Sequence, residues 1–138
     1  LGPLGVEDAR TQRVLTKEPG AVSSDGRLGL FADVPEGAQL RLLTATPDSL
    51  LAAAGAASTE ALSRASLTPD LVRGVLMAQG IGRVRALGGR AGEVPTLMSR
   101  ALGGAPLLGL AGYGEQSSLP DGRPVHLNLS MTVLVLGG

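Results

Sequence analysis

The chain of 138 residues contains no cysteine, no tryptophan, one histidine and only two aromatic side chains, Phe31 and Tyr113. Without cysteine there is no disulfide or thiol chemistry. With a single histidine besides, the ligand sets of zinc, haem and iron–sulfur centres cannot be assembled, so neither a metal nor a cofactor is expected. Two aromatics give no platform for stacked bases. Twelve basic and twelve acidic residues cancel, and neither sign forms a run, which excludes a phosphate-binding basic face and argues against nucleic acid and anionic membrane as partners. No apolar stretch reaches the roughly 18 residues of a membrane span, and no basic-then-apolar leader opens the chain. The cytoplasm is the default location. There is no G-x-S-x-G elbow and no Walker loop. His126 and Ser130 stand too far apart along one strand to act as base and nucleophile.

What the chain does have is a globular composition, 43% apolar and mostly Leu, Ala and Val, at a length suited to one domain spanning 1–138. It opens at Leu1 rather than Met, so it reads as a piece of a longer chain. Residues 11–16 and 27–31 are short strand candidates around the turn-rich "KEPG" and "SSDG". In "AQLRLLT" (38–44), Ala38, Leu40 and Leu42 alternate with Gln39 and Arg41, which predicts a strand with that leucine face buried. Thr46-Pro47-Asp48 is a helix start, with a capping hydroxyl, proline at the first helical position and an acid in the first turn; the periodicity predicts a helix over 47–65. "LVRGVLMA" (71–78) is a continuous apolar run of strand length and predicts a central strand. The glycine-rich "QGIGRVRALGGRAG" reads as a connection, because Arg85 stands where a dinucleotide fingerprint needs its third glycine. A second helix is expected over about 93–102, then the strand "PLLGLAGYGE", a turn at "LPDGRP" and a last strand over 125–136. The order predicts an α/β domain: a mixed, mainly antiparallel sheet with two helices packed on one face.

Several residues carry chemistry. Gly109, Gly112 and Gly114 permit close approach of a backbone or a ligand. Tyr113 offers a ring and a hydroxyl, and Glu115 a carboxylate suited to an ammonium or guanidinium. His126 and Asn128 share a strand face with Ser130, and face Tyr113 or Glu115 if strand 106–114 is the hairpin partner of the last strand. Arg83 follows one apolar strand through glycines as Glu115 follows another. A parallel crossover puts both at one sheet edge, as the polar part of a ligand site or as a structural ion pair.

The ordered set "RVLTKEPGAV", "VPEGAQLRLLT", the Gly82-Arg83 pair, Glu93, "PLLGLAGYGEQ" and "HLNLSMTVLVLG" resembles the C-terminal domain of the FIST family (F-box and intracellular signal transduction proteins). Its most specific part is Gly109 with Tyr113-Gly114-Glu115, in register with His126 and Asn128. The family often has a cysteine where this chain has Gly80. The resemblance implies a sensory or protein-interaction domain, not an enzyme, that binds small ligands such as amino acids and stands beside a FIST N-terminal domain absent here. The site expected from these readings is Arg83, Tyr113, Glu115, His126 and Asn128, with no catalytic residue. Two alternatives stand beside it. One is a structural module that assembles with copies of itself or with its N-terminal partner. The other is a small enzyme using Glu115 and His126 as acid and base.

Overall fold

In the computed structural model, residues 2–138 are described. The central sheet has the order β10-β6-β7, built from β6 (Val72–Gly80), β7 (Leu107–Gly112) and β10 (Met131–Gly137). β7 runs parallel to β6, with Gly80 opposite Gly112, and β10 runs antiparallel on the other side, with Leu134 opposite Leu76. The apolar run at 71–78 is thus the middle strand, as its unbroken hydrophobicity predicts. Three helices accompany the sheet: α1 (Pro47–Ala65), α2 (Ile81–Leu87) and α3 (Glu93–Ala101). Leu50, Leu51 and Ala54 from α1, Leu87 from α2, and Val94 and Met98 from α3 meet Val75 and Met77 of β6 in one cluster. Alternation along β6 then sends Leu76 and Ala78 to the opposite face.

α1 begins where its sequence says. Thr46 Oγ1 accepts from the Ser49 amide at 3.2 Å, and the Thr46 amide in turn donates to Ser49 Oγ at 3.0 Å. This reciprocal cap satisfies two otherwise unpaired donors. The expectation of two helices is corrected to three. Residues 81–87 are helical rather than a glycine-rich connection, because Ile81, Val84 and Leu87 recur at helical spacing and Leu87 is buried in the core. Gly88, at φ 55°, ends that helix.

Residues 2–45 form β1 (Leu4–Asp8), β2 (Arg13–Lys17), β3 (Pro19–Val22), β4 (Leu28–Leu30) and β5 (Leu40–Leu42). They make a sheet of order β2-β1-β5 and a β3-β4 hairpin. The expected buried face at 38–44 is not observed. Leu42 is 85% exposed and Leu40 is also exposed, because β5 is three residues long and Leu43 instead lies against Gly5. The expected single strand over 125–136 is broken. β8 (Glu115–Ser118) pairs with β9 (Pro124–Leu127) through the expected turn. Leu129, at φ 59°, then swings the chain away to β10. Strand 106–114 is therefore not the hairpin partner of the last strand: β7 and β10 occupy opposite edges of the sheet. No helix among the described residues is long and apolar enough to cross a membrane.

Candidate functional site

The parallel pairing of β6 and β7 brings their carboxyl ends, Gly80 and Gly112, to one edge. There the chain turns into α2 on one side and, through Tyr113 and Gly114, into β8 on the other. Across this edge lie Glu18, between β2 and β3, and Phe31, which follows β4. They enclose a cavity of about 180 Å³, whose wall also includes Glu115, His126, Asn128 and Arg85. Four of the five expected site residues, Tyr113, Glu115, His126 and Asn128, thus come together around one hollow.

Two glycines are needed here by close approach. A Cβ on Gly80 would overlap the Glu115 carboxylate, and one on Gly82 would overlap that of Glu18. The two carboxylates therefore lie against backbone two residues apart, where β6 becomes α2. Burial raises the pKa of Glu115 above its ordinary value; the Ser130 backbone opposes that shift and the charge of Glu18 reinforces it. Glu115 Oε2 and His126 Nε2 are both buried without a hydrogen-bond partner. Gly114, at φ 81°, holds its backbone close under the His126 ring, where an added Cβ would stand 3.0 Å from Nε2.

Asn128 is buried and already occupied. Its Oδ1 accepts from the Glu18 amide at 3.0 Å, and its own amide donates to Thr16 O at 3.1 Å. It ties β2 to β9 and so sets where Glu18 sits. Lys17 makes the same tie, donating from Nζ to His126 O at 2.8 Å. Burial lowers the pKa of Lys17, and the charge of Asp33 opposes that shift.

The expected proximity of Arg83 and Glu115 fails in one respect. Both stand at the same end of the sheet, but the Arg83 side chain turns inward, is only 3% exposed, and donates to the Leu50 carbonyl in the first turn of α1. It lines no part of the cavity and makes no ion pair among the described residues. Arg85 faces the cavity instead. Its Nη2 donates to Tyr113 Oη at 3.1 Å, and its guanidinium lies 5.8 Å from the ring centroid. Sequence reasoning missed Glu18, Phe31 and Arg85. One signal for Phe31 was available: the only two aromatic residues of the chain both line this cavity.

The domain is mixed α/β, and its cavity lies at the carboxyl ends of a parallel strand pair, the edge where α/β folds commonly place ligands. The family is more specific. The chain belongs to the FIST C domain family, which it matches over residues 1–118, a domain associated with sensing in signal transduction. That match covers Glu18, Phe31, Arg85, Tyr113 and Glu115 and ends before β9 and β10. No curated protein and no solved structure matches the chain.

Proposed function

We propose that this domain is a non-enzymatic small-ligand sensor acting in cytoplasmic signal transduction, whose cavity holds an amino acid or a related amine-bearing metabolite. The observation that carries this reading is the pair of carboxylates, Glu18 and Glu115. They share one cavity, the charge of Glu18 adds to the cost of ionising Glu115, and neither forms an ion pair among the described residues. A ligand ammonium between them relieves that repulsion and supplies the partner that Glu115 Oε2 lacks. The Phe31 and Tyr113 rings add faces that attract a cation. Arg85, at the rim beside Tyr113, offers a guanidinium to a ligand carboxylate. A FIST N-terminal domain in the parent chain is the natural recipient of the signal.

The test is a thermal-shift and calorimetric screen of the chain against amino acids, simple amines and matching carboxylic acids without an amine. Amine-bearing ligands should stabilise the fold in proportion to ligand excess, by about 2.7 kcal/mol at a hundredfold excess over Kd. Glu18→Gln and Glu115→Gln should remove that gain. Stabilisation by the amine-free acids alone, or by none of the set, would refute the reading.

A further inference from the structure

Of the twelve basic residues, eleven are arginine, and Lys17 is the one lysine. An arginine stays protonated in a protein, whereas a lysine can release its proton and act as a nucleophile. Lys17 closes β2, is only 5% exposed, and forms no ion pair among the described residues. Its one hydrogen bond there runs from Nζ to His126 O. An ammonium has three donors to satisfy, so a buried one with a single backbone acceptor and no counter-ion is poorly held. Burial accordingly lowers the pKa of this amine. The neutral form fits its surroundings better: one N–H stays on His126 O, and the nitrogen lone pair is left free.

Lys17 lines a hollow of about 590 Å³ that shares no residue with the wall of the Glu18–Glu115 cavity. Asp33 lines the same hollow, and its charge acts on the amine from beyond ion-pair distance. Asp33 is exposed, so the hollow opens to solvent on that side. We propose that Lys17 is a capture site for small neutral carbonyl compounds, aldehydes above all, which it holds as a reversible imine. The nitrogen lone pair adds to the carbonyl carbon, and the C=O π pair passes to oxygen. That oxygen then leaves as water with the two protons of the amine, and a C=N bond replaces the C=O bond. One proton from solvent makes the iminium, whose N–H keeps His126 O as acceptor and whose charge Asp33 balances. No oxidant or reductant enters the step. Val6, Leu15 and Val34 in the wall suit an aliphatic body. Four carboxylates against three cations, Lys17 included, line the hollow, which disfavours an anionic 2-oxo acid. This site stands independently of the ligand assigned to the other cavity.

The single lysine makes the test direct. The folded chain, and the same chain unfolded in guanidinium chloride, are each treated at pH 7 with butanal and sodium cyanoborohydride. Peptide mass spectrometry follows the reduced adduct at residue 17 separately from that at the terminal amine. An ordinary lysine is only about 0.04% free amine at pH 7, and each unit by which its pKa falls raises that share about tenfold. Lys17 should therefore be trapped at least about tenfold faster in the folded chain than in the unfolded one, at a rate that saturates as butanal is raised. A lysine kept only as a strap between β2 and β9 would be shielded by folding. A rate at or below that of the unfolded chain, or one that never saturates, overturns the proposal. 2-Oxobutyrate should gain less from folding than butanal does, and a larger gain would overturn the assignment to neutral carbonyl compounds. Lys17→Arg, which keeps a donor for His126 O, should abolish the internal adduct and leave the terminal one unchanged. An internal adduct that persists in that variant would place the chemistry elsewhere and refute the role of Lys17.

Discussion

Glu115 carries a carboxylate to a place where burial and the field of Glu18 both disfavour its charge. Its folded-state pKa lies above the unfolded value, so the folded chain holds that proton more tightly. The stability this group contributes is fully present below about pH 4.5 and is lost as pH rises through the raised pKa. Glu115→Gln should remove that slope from the stability–pH curve measured by thermal unfolding. At pH 7 it should be as stable as the parent within about 0.5 kcal/mol, or more stable. Ligand affinity should respond in the opposite sense: an ammonium needs the ionised carboxylate, so Kd should rise as pH falls through the same window, as calorimetry at stepped pH will show. Arg83 behaves differently. It is buried, it reaches α1 rather than the cavity, and its Nε has no partner. Arg83→Ala should therefore cost about 2–4 kcal/mol through lost packing and the orphaned Leu50 carbonyl. Once corrected for the unfolded fraction, the Kd for any ligand should be unchanged. An Arg83→Ala protein of native stability that fails to bind would return Arg83 to the site.

At the level of elements, Asp8 at the end of β1 accepts from Thr11 Oγ1 at 2.5 Å, from the Thr11 amide at 2.9 Å, and from Arg123 of the β8–β9 turn at 3.0 Å. These bonds, led by the Thr11 hydroxyl, lower its pKa to about 2. Its contribution is present above the unfolded value near 3.8 and disappears as pH falls toward 2. Asp8→Asn should lower the unfolding temperature at pH 7, and the gap to the parent should close between pH 4 and pH 2.

What could be read from the sequence follows from how locally each element is specified. α1 was legible to the residue, because Thr46, Pro47 and Asp48 encode its start within three positions. β6 was legible because a strand buried in mid-sheet needs apolar residues at almost every position. α2 was not, since Gly80 and Gly82 read as turn residues until the carboxylates lying over them are seen. β1 went unread, because "LGVED" is defined by its pairing to β2 and β5 rather than by its own pattern. The site was half legible. Tyr113, Glu115, His126 and Asn128 share the last third of the chain, whereas Glu18 and Phe31 reach the cavity only through long-range packing. The break at Leu129 was hidden by an alternation that continues through it.

Over the whole molecule, burial is divided. One cluster joins the three helices to β6, while Leu4, Val6, Ala32 and Leu119 are buried outside it. The cavity lies where these regions meet, bounded by Glu18 and Phe31 from one side and by α2, β7 and β8 from the other. β10 is the strand that completes the central sheet, and Met131, Val133 and Val135 pack against the main cluster. Deleting 131–138 should therefore abolish cooperative unfolding of the domain rather than trim it, as a lost thermal transition will show. A deletion that retains a sharp transition would mean that β10 is dispensable.

The position of β10 at the end of the order has a consequence for biosynthesis. β6 leaves the ribosome well before its antiparallel neighbour is made; at ordinary translation rates the interval is about 3–10 s. Throughout it, the middle strand of the central sheet has one edge without a mate and its exposed Leu76 face open. A nascent chain arrested at residue 125 should be cut by protease within 72–80, and one carried through residue 138 and clear of the ribosome should resist. The time the ribosome spends between residues 80 and 131 thus bears on how much protein survives its own synthesis.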